Sequence, residues 1–114
     1  MSVPKNLDEC FEELDRMNIK DINDFLNRNE KDALGLAHHG LGQWIRNNWD
    51  LWSINKTPFW KDTLVGYFNN MEIYHPDDMS SIILVSYHRK KNGHDIKIEE
   101  QVEKYKEFWK KQRQ

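Results

Sequence analysis

The chain has 114 residues, with 17 Lys and Arg against 19 Asp and Glu, giving a formal net charge of -2. That length is one domain rather than two, and that balance argues against a protein whose main task is to coat nucleic acid or an anionic membrane. A mean hydropathy of -0.94 would suit a disordered chain, but 12% aromatic residues carry too much large apolar surface for disorder. One cysteine, Cys10, excludes an internal disulfide and an all-cysteine metal site. No apolar run approaches the ~18 residues of a membrane span, and the opening residues are not a signal peptide. The expected setting is a soluble protein of the reducing cytoplasm.

Charge is unevenly spread. Residues 1–32 carry five basic and nine acidic side chains, whereas residues 89–114 carry nine basic and five acidic. The middle segment, 33–88, has few charges and nine of the 14 aromatics. It reads as the core, with the ends as charged covers that can attract each other.

The apolar spacing is helical almost throughout, so the expected fold is all-α: a compact bundle of five to six helices in a single domain, 1–114. Leu7, Phe11 and Leu14 recur at i, i+4, i+7, with Cys10 and Met17 alongside. Ile19, Ile22, Phe25 and Leu26 give a second, short helix with Asp21 as its N-cap. Asn29 or Glu30 breaks the pattern, and a third helix is expected from Asp32 to about Trp49. Gly35, Gly40 and Gly42 fall inside it, and each costs ~1 kcal/mol relative to Ala. Either the helix is broken near Gly40, or a backbone or ligand lies against the small residues. Thr57-Pro58 reads as N-cap and N1 of a fourth helix, with Phe59, Trp60, Leu64, Tyr67, Phe68 and Met71 on its apolar face. His75-Pro76-Asp77-Asp78 starts a fifth, which runs to Asn92-Gly93. It is apolar nearly all round, so it is expected at the centre of the bundle, about residues 76–92. Those start and stop signals outweigh the β propensity of Ile82–Tyr87. A last amphipathic helix, about residues 97–112, carries Ile98, Val102, Tyr105 and Trp109 on a narrow stripe.

Two runs stand out. His38-His39-Gly40-Leu41-Gly42-Gln43-Trp44-Ile45-Arg46-Asn47-Asn48-Trp49 is one. The other is His75-Pro76-Asp77-Asp78-Met79-Ser80-Ser81-Ile82-Ile83-Leu84, continued by Ser86-Tyr87-His88-Arg89. Together they resemble a family of small domains of unknown function found mainly in bacteria and their phages. The resemblance spans roughly Leu7 to Gly93 and is weakest over Asp50–Trp60. It implies that the motif residues belong together, and it supplies no catalytic role.

The candidate binding residues come from these runs. His39, Gln43 and Arg46 lie around Gly42, where a guanidinium and an imidazole beside a bare glycine can hold a phosphate or carboxylate. Asn47 and Trp49 add an amide and a stacking ring, and His75, Asp78 and His88 belong to the second run. The competing reading is internal: Arg46 pairs with Asp77 or Asp78 and clamps two helices. For metal binding, His38 and His39 are adjacent and point about 100° apart on one helix, and no HxxxH pair exists, so no metal ligand is assigned. Cys10 reads as a core thiol, Ser80, Ser81 and Ser86 lack a nucleophile elbow, and no phosphate-binding loop is present. The C-terminal Lys residues interleaved with Tyr105, Phe108 and Trp109 could bind single strands, but Glu103 and Glu107 dilute them, and a solvated face is the preferred reading. The function expected first is a non-enzymatic interaction protein of immunity, phage-inhibitor or regulatory type, with no cofactor. Its partner is another protein, it is a monomer or homodimer, and nucleic acid and membrane are not partners. A domain binding a small ligand or phosphate through His39, Arg46 and Trp49 comes second, and a His/Asp metal-dependent hydrolase third.

Overall fold

The computed structural model describes residues 3–17, 19–52 and 63–113, and these form seven helices with no strand among them. In α1 (Leu7–Asp15) the Asn6 side chain accepts from the Glu9 amide at 2.9 Å, and Leu7, Cys10, Phe11 and Leu14 are buried. Helix α2 covers Ile19–Asn27. Asp21 therefore lies inside its first turn, where a carboxylate favours the helix dipole, and is not the N-cap. Asn29 starts the next helix rather than ending a pattern. Its Oδ1 accepts from the Asp32 amide at 2.9 Å, and α3 runs Glu30–Ala37, two residues ahead of the expected start.

The single long third helix does not form. Gly40 leaves helical geometry (φ -109°, ψ -95°) and caps a separate α4, Leu41–Asn48. Both consequences of the glycines therefore occur together. The chain breaks at Gly40, and Gly42 is closely approached: a Cβ there would lie 3.1 Å from the Ala37 carbonyl oxygen and 3.1 Å from Arg46 Nη1.

The start expected at Thr57-Pro58, with Phe59 and Trp60, lies outside the described residues. Helix α5 occupies Leu64–Asn69, with Thr63 Oγ1 accepting from the Gly66 amide. Leu64 and Phe68 are buried, and Tyr67 and Met71 pack against the core. Helix α6 spans Pro76–Lys91, with His75 as N-cap, Pro76 at N1, and Gly93 at φ 78° after its end. Helix α7 is Ile98–Gln112.

The bundle is built on α6, which packs against α1, α2, α3, α4 and α7. Its residues Ile82 to His88 are buried without interruption, so no face of that stretch is left to water. Trp49, Leu51, Ile45, Phe68 and Ile73 complete the core. The radius of gyration is 13.9 Å, close to the ~13 Å of a compact domain of about 100 residues. Among the described residues no helix is long and apolar enough to cross a membrane.

Candidate functional site

The first motif meets the second at the N-terminal end of α6. Arg46, only 6% exposed, donates from Nη1 to Ser80 Oγ (2.9 Å) and from Nη2 to the His38 carbonyl (2.9 Å). Its Nε lies 3.4 Å from Asp77 Oδ1. One guanidinium thus ties the α3–α4 break to the first turn of α6. Gly42 supplies the space, because the guanidinium lies where a side chain on that residue would project. His75 Nδ1 accepts from the Asp77 amide at 3.2 Å, completing the cap. Trp109 of α7 then covers this end. Its ring stacks on His75 (5.6 Å between centroids, 16° between planes), and its Nε1 donates to Asp78 Oδ2 at 2.7 Å.

At the other end of α6, successive residues turn by about 100° and each meets a different element. Ser86 Oγ accepts from Gln101 of α7 at 3.1 Å. Tyr87 donates its hydroxyl to Asp15 of α1 at 2.7 Å. His88 Nε2 donates to the Arg28 carbonyl, just past α2, at 2.7 Å, and its ring meets Phe25 edge-on. Arg89 forms a two-pronged pair with Glu30 of α3 (2.7 and 3.2 Å) and also donates to the Ile96 carbonyl. The Tyr87 hydroxyl, followed by Lys91, holds the Asp15 carboxyl below its ordinary range, and Arg89 does the same for Glu30. Burial, then the Asp15 carboxylate, pushes the Tyr87 hydroxyl up. Burial, then Glu9, does so for the Cys10 thiol, consistent with a core thiol.

The candidate residues do not converge on one pocket. Gly42, Arg46, His75 and Asp78 share the N-terminal end of α6. His39 and Gln43 are exposed, and among the described residues the one ring against His39 is that of His38. The break at Gly40 shifts the register that would have placed His39 beside Arg46. Asn47 accepts from the exposed Trp52 indole at 3.2 Å. Trp49 is a core residue, 2% exposed, and His88 stands at the far end of α6. Trp49 Nε1 and His88 Nδ1 are buried without a hydrogen-bond partner among the described residues. Among those residues, no three His, Cys, Asp or Glu side chains group to hold a metal ion.

Sequence reasoning missed Ser80 and Trp109 as partners of the motif residues. Ser80 was discernible as the residue one turn after Asp77 on a helix. Nothing in the sequence pairs Trp109 with His75. Also missed was an apolar groove of about 410 Å³ between α2, α3 and α4, walled by Ile22, Phe25, Leu36, Ala37, Leu41 and Trp44, with Asp21, Asp24 and Arg28 on its border.

These contacts define a class: an all-α domain whose polar motif side chains fasten peripheral helices to one central helix. Residues 3–91 match the family model of DUF6794, a domain of unknown function, and the chain belongs to that family. The match runs from ahead of α1 to the end of α6, with α7 beyond it. No curated protein and no solved structure matches the chain.

Proposed function

We propose that the domain acts by binding another protein chain, as an immunity, inhibitory or regulatory protein of the bacterial or phage-infected cytoplasm, through the groove between α2, α3 and α4. The groove itself carries this reading. It is open and apolar, and Leu36 on its wall is 62% exposed. Exposed apolar surface with a polar border is characteristic of protein-docking sites. The alternative ligand face is less favoured, because all three guanidinium nitrogens of Arg46 already face partners within the chain.

The test compares wild type with Leu36→Asp as bait in lysate of a cell that encodes the protein, followed by calorimetry with the purified partner. The expected result is a stoichiometric partner that the variant loses at an unchanged melting temperature. Identical captures by both proteins would overturn the reading. So would a bound small molecule in native mass spectra that disappears with Arg46→Ala and persists in Leu36→Asp.

A further inference from the structure

The sequence places its charge at opposite ends, and the structure shows what those charges flank. On α2, Asp21 and Asp24 stand one turn apart on the border of the apolar groove, both exposed. Asp24 pairs with Arg28, which lies just past α2 and also lines the groove, at 3.3 Å between two exposed side chains, and Asp21 has no ion pair among the described residues. On α7, Phe108 is 51% exposed although it is one of the largest apolar side chains of the helix. Helical spacing puts Lys104 four residues before it and Lys111 three after, on the same side. An aromatic anchor flanked by two lysines thus faces solvent on α7, and an apolar groove whose border carries two carboxylates against one guanidinium, Arg28, and so stays net acidic, faces solvent on α2–α4. Among the described residues of one copy neither is matched: the groove is open while α7 lies along α6.

We infer that the occupant of the groove is α7 of a second copy, Phe108 entering between Leu36 and Trp44, with Lys104 and Lys111 against Asp21 and Asp24. The inference rests on the reading of the groove as a protein-docking surface and names what docks there. The contact is heterologous, groove to helix, so a chain of copies or a closed ring forms rather than a two-fold dimer. A single aromatic anchor in a small interface makes the association weak and concentration-dependent. Its charged border makes it sensitive to salt.

Sedimentation equilibrium of the full chain, from micromolar to submillimolar concentration at low and high salt, reads this directly. Wild type is expected to associate reversibly, and less so in high salt. Leu36→Asp removes the groove and Phe108→Asp removes the anchor. Each is expected to weaken association about tenfold or more, the loss typical of an interface anchor. An equimolar mixture of the two variants retains one intact groove and one intact anchor. It should associate with near wild-type strength and stop at a 1:1 pair. Both substitutions fall on exposed side chains, and thermal unfolding confirms that each variant is folded. If one is not, Lys104→Gln with Lys111→Gln replaces Phe108→Asp, and Asp21→Asn with Asp24→Asn replaces Leu36→Asp, neutral changes that keep the mixing logic because the two altered faces do not attract each other.

A wild type that remains monomeric over the whole range overturns the inference. So does association that both variants retain, or a mixture no stronger than its components. A monomeric wild type that still loses a captured partner on Leu36→Asp would show a foreign helix in the groove, overturning this inference while the proposed function stands. A self-associating wild type that captures nothing leaves the inference and removes the foreign partner.

Discussion

Arg46 is nearly buried with two hydrogen bonds and an ion pair, and its partners come from three separate places: the His38 carbonyl, Ser80 and Asp77. Arg46→Ala leaves a buried hydroxyl and carbonyl without their donor. Asp77 is 44% exposed and water can reach it, so the cost falls below that of breaking a fully buried pair. A loss of about 2–3 kcal/mol in urea denaturation is expected. Arg46→Lys should recover little of it, since one ammonium cannot reproduce a three-sided guanidinium. The glycines give a sharper comparison. A Cβ at Gly35 meets nothing within 4 Å, and the residue is inside α3. Gly35→Ala should stabilise by up to about 1 kcal/mol. A Cβ at Gly42 meets the Ala37 backbone oxygen and the Arg46 guanidinium, both at 3.1 Å. Gly42→Ala should destabilise by about 1–2 kcal/mol despite the better helix propensity. Thermal unfolding of the two variants side by side checks the opposite signs.

At the scale of elements, α6 and α7 differ in how they are held. Helix α6 is buried along most of its length and bonds to its neighbours at both ends. Helix α7 buries only Gln101 and packs Ile98, Val102 and Tyr105 partly. Its last turns rest on Trp109 against His75 and Asp78, and on the exposed Lys106–Glu72 pair at 2.9 Å, which contributes at most about 1 kcal/mol. Trp109→Ala should therefore speed hydrogen exchange across residues 106–112 while Ile82–His88 keeps its protection. Equal acceleration in both would show that α7 and α6 open as one unit. The division of α3 from α4 also belongs here. Without the break at Gly40, the His38 carbonyl would bond onward along a continuous helix instead of accepting from Arg46.

For the whole molecule, the opposite charges at the chain ends do meet, but chiefly through the end of α6. Lys91 pairs with Asp15 at 3.1 Å, Arg89 with Glu30, and Lys90 lies over the Phe11 ring. These contacts set the response to acid. Asp15 and Glu30 are more acidic in the folded chain than in the unfolded one, so the unfolded chain binds more protons as pH falls. The stability they contribute is present above the ordinary carboxylate range, about pH 4, and is lost as pH drops through their lower folded values. Melting temperature should thus fall steeply between about pH 5 and pH 3. Asp15→Asn with Glu30→Gln should lower it near neutrality and flatten that acid slope. A slope parallel to wild type would place the acid response in other carboxylates.

Much of the fold was legible because helix formation leaves local marks. The 3.6-residue spacing of Leu7, Phe11 and Leu14, the His75-Pro76 start and the Asn92-Gly93 stop are each a short-range preference, and the helices follow them. The continuous apolar run of Ile82 to Val85 likewise forecast a central helix, because such a segment has no face suited to water. The site was legible only in part. Periodicity put Arg46 beside Gly42, and charge offered Asp77 or Asp78 as its partner. Tertiary structure chose Asp77, added Ser80 and the His38 carbonyl, and gave Asp78 to Trp109. Those outcomes depend on how helices distant in sequence pack, which no local pattern encodes. The groove between α2, α3 and α4 has the same origin: each wall is an ordinary amphipathic face, and the open space between them exists only once three helices are placed around α6.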